Sequence, residues 1–395
     1  MNQFNKGIIA ALSSDKDITL NEVLRRQIEV AANQFLQNEL TAVLGYEPHT
    51  RIDRSKDDVN YRNGTYTRTI DTEYGEINLT IPRDRLNKFQ NALFPPYVRR
   101  TDGLEEMVIK MYSKGVTTRE IADMVERMYG HYYSPTTVSN ITKRTEHLVE
   151  EFHERKFKYS QYVCVFLDAT YIPLRRGTVE REAVNVAIGI RSDGGKEVLD
   201  YSIAPTEDGA AWSELLQGLR ARGIKDIQLF IADGLVGLQS AIEANYPQAK
   251  FQRCWVHAER NLLGYVRKND RREIITDFKA IRQAENLQAA KERLAAFSAK
   301  WESSYKRRIK NLVQMEDLFT FFSFPTAIRQ TIYSTNLIES FNKSLKKMVR
   351  HKEQFPNEGP LDRFIMTQVM EYKDKFENRA HRGFKDCHDT LDSMF

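Results

Sequence analysis

Apolar residues in this 395-residue chain recur with two different periods, and the switches between them mark its organisation. From Thr19 to Gly45 the spacing of Val23, Leu24, Ile28, Ala31, Phe35, Leu36, Leu40 and Val43 or Leu44 predicts a long amphipathic helix. Thr19 with Glu22 forms a capping-box pattern, and Gly45 suits a C-terminal cap. Its apolar face is expected to pack within the subunit or form a dimer interface. Alternating Thr, Tyr and Ile residues around Tyr74-Gly75-Glu76 then predict a β-hairpin closed by Pro82. After Pro95-Pro96 the helical period returns three times. One helix starts at Asp102 and stops at Gly115, and a second runs from Arg119 to Tyr129, capped by Thr117 with Glu120. A third starts at Ser134-Pro135 and runs towards Phe152.

Short, continuous apolar runs follow, of the kind that forms strands buried on both faces. Tyr162 to Leu167 stops at an acid, Asp168, and Ile227 to Ala232 stops at another, Asp233. Between them, turn signals at Gly177 and Asp193-Gly194-Gly195 predict three antiparallel strands, the first carrying Asp168. Asp208 to Arg222 reads as a helix with Trp212 on its apolar face, ended by Gly223. Leu235 to Ala244 is another helix, broken at Asn245-Tyr246-Pro247, and a strand-like run then reaches Cys254-Trp255-Val256-His257. Three antiparallel strands, then helix, strand, helix and strand is the order of an α/β, ribonuclease H-like mixed sheet. From Glu259 to Pro325 helix formers dominate, as in an all-helical insertion, and helices at 335–349 and 361–378 close the chain. The expected domains are 1–98 (helix and hairpin, for dimerisation or DNA binding), 99–156 (helix-turn-helix-like), 157–258 (catalytic core, first part), 259–326 (insertion) and 327–395 (core, second part).

Composition narrows the classes. A hydrophobic content of 41% supports real cores, and there is no apolar run of about 18 residues to span a membrane. Three scattered cysteines argue for a reducing cytoplasm rather than a disulfide framework. The net charge of +5 comes from 59 basic against 54 acidic residues, so any polyanion partner must be met by local clusters. One such cluster is the third helix, where Thr136, Thr137, Asn140, Lys143 and Arg144 surround Val138 and Ile141. That is what a recognition helix needs to meet base edges and phosphates. Arg62 and Arg83, near Tyr61 and Tyr66, are candidate phosphate contacts.

Two strands ending in acids, if parallel and adjacent, place Asp168 and Asp233 at one sheet edge, where ligand sites of open α/β sheets lie. Carboxylates that close repel each other, and a divalent cation between them relieves the repulsion. All-oxygen ligation points to Mg²⁺ or Mn²⁺. Cys254 and His257 have metal-like spacing, but zinc takes four ligands and the nearest spare ones, Cys387 and His388, lie at the far C-terminus. The pair is therefore read as structural, as is Trp212.

The run Asp233-Gly-Leu-Val-Gly237, with Pro247, Ala249, Gln252, Cys254 and His257, resembles the signature of Mutator-type transposases of bacterial insertion sequences. The resemblance extends to Asn63-Gly64, Ile81-Pro-Arg-Asp-Arg85, Ser134 to Thr142, Val165 to Tyr171, Trp212 and Tyr333 to Asn342. It implies a DDE transposase whose three metal-binding acids fall on Asp168, Asp233 and Glu339, with two ions per site. By pattern alone Glu339 is a solvated glutamate pointing away from Leu337, Phe341, Leu345 and Met348. Lys346, about two helical turns further on, is a candidate phosphate contact. The resemblance also implies DNA partners, namely terminal inverted repeats and target DNA, and a homodimer that cuts two ends together. The alternatives are a catalytically silent DNA-binding regulator, or a structure-specific nuclease with the same metals but no strand joining.

Overall fold

The computed structural model describes residues 18–52, 59–95 and 98–395. Pro96 of the Pro95-Pro96 breaker lies outside them. The chain forms two compact units, residues 1–144 and 145–395. No helix among the described residues is long and apolar enough to cross a membrane.

In the N-terminal unit, α1 (Leu20–Leu44) starts where Thr19 accepts a hydrogen bond from the Glu22 amide and ends at Gly45 in the left-handed region, φ 78°. Its buried face is narrower than its apolar pattern. Val23, Ala32, Leu36 and Leu40 are buried, Ala32 and Leu36 over the hairpin of β1 (Arg62–Thr72) and β2 (Gly75–Asp84), whereas Val30, Phe35 and Val43 stay exposed. Three short helices follow: α2 (Asp102–Ser113), α3 (Thr118–Tyr129) and α4 (Pro135–Thr142). Thr117 and Glu120 close a reciprocal capping box on α3, and the Ser134 hydroxyl caps α4. The third predicted helix is broken. A 3₁₀ turn, Lys143–Thr145, separates α4 from α5 (Glu146–Glu154), and the boundary between the two units falls within this turn.

The second unit is built on a five-stranded mixed sheet in the order β5-β4-β3-β6-β7. β3 (Gln161–Arg176), β4 (Thr178–Ile190) and β5 (Lys196–Ala204) are antiparallel neighbours, while β6 (Asp226–Ala232) and β7 (Lys250–Arg253) continue the sheet in parallel with β3. β3 does not stop at Asp168. It runs on to Arg176 because β4 keeps pairing with it, from Cys164 opposite Ile190 to Arg176 opposite Thr178.

On one face α6 (Gly209–Ala221) and α7 (Val236–Asn245) bury Trp212, Leu216, Leu219, Leu238 and Ile242 against Val165, Leu167, Phe230 and Ala232. Side chains alternate along a strand, so Asp168 and Asp233 belong to the opposite face. That face is covered by α12 (Asn336–Val349) and α13 (Glu358–Phe376). From Trp255 to Ile332 the chain holds helices only: α8 (Trp255–Leu263), α9 (Arg271–Arg282), α10 (Leu287–Val313), a 3₁₀ stretch Glu316–Ser323, and α11 (Thr326–Ile332).

Helical structure thus begins earlier than the pattern predicts. Trp255, Val256 and His257, read as strand, form the first turn of α8. The strand ladder ends where the Cys254 amide donates to the Ala232 carbonyl, 2.7 Å, and the next amide, of Trp255, turns away to Tyr333. The Trp255 indole donates to the Leu318 carbonyl at 2.7 Å and packs on Phe278, so tertiary contacts override the strand preference of Trp and Val.

Candidate active site

Parallel pairing puts Phe166 beside Ile231, and each strand reaches an acid two residues later, Asp168 on β3 and Asp233 just past the end of β6. β6 ends at Ala232, so the Asp233 carboxylate is free to cap its own turn, accepting from the Leu235 amide at 3.0 Å. Gly234 holds φ 89° there, and a Cβ on it would lie 1.8 Å from the Arg253 guanidinium, which donates to the Gly234 carbonyl at 3.0 Å. Arg253 in turn makes a forked pair with Asp317, 2.7–3.0 Å, so the turn carrying Asp233 is bolted to the 3₁₀ stretch.

From α12, the buried Asn342 donates to Asp168 at 2.8 Å. Glu339, one turn earlier, is half-buried. Burial pushes the Asp168 carboxyl above its ordinary value. The Asn342 hydrogen bond and His257 oppose that rise, while the negative charges of Glu339 and Asp233 add to it. The three predicted acids therefore share one electrostatic neighbourhood. They are not closed to the spacing of a single metal shell, because Glu339 is drawn into a forked pair with Arg260, 3.0 Å on each oxygen.

Cys254 and His257 stand behind Glu339. The Thr335 hydroxyl lies 3.2 Å from the Cys254 sulfur, 3.3 Å from His257 Nδ1 and 3.4 Å from Glu339, and His257 Nε2 is 3.7 Å from the same carboxylate. The hydrogen bond with Cys254 is the largest influence raising the His257 imidazole, to about 8. The apolar stripe of α12 differs from the predicted one, since Ile338 and Val349 are buried with Phe341 and Leu345, while Leu337 and Met348 are only partly covered. Lys346 is exposed on the same side of α12 as Glu339 and Asn342.

Sequence reasoning missed a fourth carboxylate. Trp212 is fully buried, yet its indole donates to Glu207 at 3.3 Å. Burial, and then the charge of Asp233, push the Glu207 carboxyl up to about 7. Gly209 and Gly237 meet backbone to backbone, where a Cβ on Gly209 would lie 2.9 Å from the Gly237 carbonyl oxygen. This close approach pins the start of α6, with Glu207 just ahead of it, against the first turn after Asp233. The one available sequence signal was Trp212 five residues beyond Glu207.

The predicted DNA-contact residues fare unevenly within the N-terminal unit. Thr136, Asn140 and Lys143 are exposed on α4 and its end. Arg83 is exposed and lies over the Tyr66 ring, and Thr137 lines a cavity of about 670 Å³ with Arg68, Arg99, Arg100 and Tyr132. Two predicted contacts are otherwise engaged. Arg62 donates to Thr41 at 2.7 Å on α1, and Arg144 pairs with Glu105. Both guanidinium groups are thus engaged inside the unit, although Arg62 Nε is buried without a hydrogen-bond partner, and pattern reading could not reveal either contact. Asp71, Glu76 and His131 also come together there, with one ligand atom from each within 4.8 Å of the others.

Known proteins resemble this chain along its length. It is 47% identical to the transposase for insertion sequence element IS905 of Lactococcus lactis, over 100% of both chains. It is 50% identical to the transposase for insertion sequence element IS1201 of Lactobacillus helveticus, over 94% of this chain and 100% of that one. A solved Drosophila P element transposase strand transfer complex is similar over 77% of this chain and 86% of that one, at 11% identity and a TM-score of 0.31. Residues 3–379 match the family described as "Transposase, Mutator family", and to that family the chain belongs.

Proposed function

We propose that this chain binds the terminal inverted repeats of its own insertion sequence and catalyses metal-dependent DNA strand cleavage and strand transfer at Asp168, Asp233 and Glu339. The observation that carries the reading is the parallel pairing of β3 with β6, which sets two acids at one sheet edge under a helix that brings the third. The strand order, three antiparallel and two parallel, supports a ribonuclease H-like core, and the helices after Trp255 support an insertion within it.

The donor set fits Mg²⁺ or Mn²⁺. It is all oxygen, and like charge adds to the rise of the Asp168 carboxyl, a repulsion that a cation removes. Asp168, Asp233 and Glu339 would hold two ions. Bound there, the metals would supply electrostatic stabilisation of the entering and leaving oxygens of an in-line phosphodiester displacement. The chain's own groups do the rest. Asn342 fixes the rotamer of Asp168, Arg253 fixes the turn of Asp233, and Thr335 with His257 backs Glu339. Arg260 balances the Glu339 charge, and a cation held by Glu339 would compete with that pair. Lys346 meets a phosphate beside the acids. Glu207 is held by the Trp212 indole just ahead of α6.

The exposed residues of α4, with Arg83, are assigned to recognition of the repeats in a helix-turn-helix manner. A homodimer is assigned because two ends are processed together. The test is incubation of the purified protein with a labelled terminal-repeat duplex and Mg²⁺, with Asp233→Asn alongside. Nicks at the element boundary and joined strands, both lost in the variant, are expected. Binding without cutting would favour a silent regulator, and cutting without boundary preference or joining would favour a nuclease.

A further inference from the structure

Next to Asp233 the second unit forms a solvent-open cleft of about 350 Å³. Its walls are α8, the last turns of α10 and the turn that carries Asp233, which is its single acid. The Arg308 guanidinium carbon lies over the Tyr265 ring, 3.2 Å from the centroid. Asn261 and Asn311, both exposed, line the same space, and their side chains make no hydrogen bond among the described residues. Leu262 and Leu312 supply an apolar floor.

These groups form a recognisable set. A guanidinium stacked on a tyrosine offers a platform for the face of a base. Carboxamides pair two-fold with base edges, and Arg308 answers a phosphate charge. The volume sits near the lower end of the ~300–1,000 Å³ typical of small-ligand pockets, room for one nucleotide but not for a duplex. Beside the proposed catalytic acids, the nucleotide on offer is one that flanks the scissile phosphate.

We infer that this cleft receives a single nucleotide splayed out of the DNA stack next to the element boundary, with its base on the Tyr265–Arg308 platform and its edge read by Asn261 and Asn311. The inference rests on the active-site reading above. Unstacking one nucleotide draws the backbone towards the recessed carboxylates, and the amides give the boundary a base preference that the metals do not.

The test places 2-aminopurine, whose fluorescence rises on unstacking, at single positions on either side of the boundary in a terminal-repeat duplex. With the full-length protein a several-fold rise is expected at one position. Tyr265→Ala and Asn311→Ala, both exposed positions, should abolish that rise while still shifting the duplex, with affinity lowered by no more than about ten-fold. They should also cut with lower kcat and a blurred boundary. A complex that forms with no rise anywhere, or a rise that survives both variants, overturns the inference. Asp233→Asn, run in parallel, separates the two claims. Cutting by that variant would sink the active-site reading, whereas loss of cutting with unchanged fluorescence behaviour in the Tyr265 and Asn311 variants would sink only this one.

Discussion

In the N-terminal unit, Asp71 stands among groups that already answer its charge. Tyr133 donates to it at 3.1 Å, Arg100 lies 3.9 Å away, and His131 Nδ1 lies 3.5 Å away while its other nitrogen donates to the Thr72 carbonyl at 2.9 Å. At the sheet edge of the other unit, Asp168 has one amide donor, Asp233 bonds only within its own turn, and Glu339 pairs with the exposed Arg260 beside the Thr335 hydroxyl and His257. The first group has its ligand atoms closer together, whereas in the second Asp168 and Asp233 face fewer cationic partners than Asp71 does. Which of the two takes a cation is what the contrast asks, since both proximity and the charge left unbalanced bear on it.

The largest expected effect breaks that contrast directly. Asp168→Asn, Asp233→Asn or Glu339→Gln should each drop boundary cleavage and joining below detection while leaving repeat binding intact, as read by gel shift and strand-transfer assay. Next, Mn²⁺ should raise the melting temperature of the wild-type protein, and that rise should vanish in Asp233→Asn but survive in Asp71→Asn. The reverse pattern would move the cation to the N-terminal unit. Arg253→Ala should then cost about 10–100-fold in cleavage rate, because it loosens the turn of a ligand without removing the ligand. Asp317→Ala should match it, and the double variant should add little.

A smaller effect concerns a histidine far from the acids. Burial works against a charged His153, but hydrogen bonds to Asp200 and Asp362 outweigh it and lift the imidazole to about 9. Its folded value lies above the unfolded one of about 6.5, so its stabilisation is complete below about pH 6.5 and is lost as pH rises through about 9. His153→Gln should cost about 1–2 kcal/mol in urea unfolding at pH 6, allowing for partial exposure, and almost nothing at pH 10. The smallest effect is Arg83→Ala, which should lower the salt slope of repeat binding by about one without touching cleavage of bound DNA.

The two strand-borne acids were legible because a buried apolar run that ends in a carboxylate is chemically conspicuous. Their pairing followed from strand order. Glu339 was legible only through resemblance, since on α12 it looks like any solvated glutamate, and its partner Arg260 lies 79 residues away in sequence. Glu207 was missed because it sits in a loop with no periodicity of its own, and its value depends on an indole and a neighbouring charge brought in by folding. Arg62 and Arg144 looked free because a charge pattern cannot say which guanidinium will find Thr41 or Glu105. The early start of α8 was hidden by Trp255 and Val256, residues with strand preference whose contacts with Leu318 and Phe278 decide otherwise.

The backbone contact of Gly209 with Gly237 bears on how such elements die. A single methyl at either position would wedge two helices apart, with its Cβ about 3 Å from the facing backbone, and displace the turn behind Asp233. A genomic copy could then keep every acid and every basic residue and still be immobile. Surveys that score an insertion sequence as live by its intact carboxylates would count such fossils as active, and the two glycines offer a second mark by which to tell them apart.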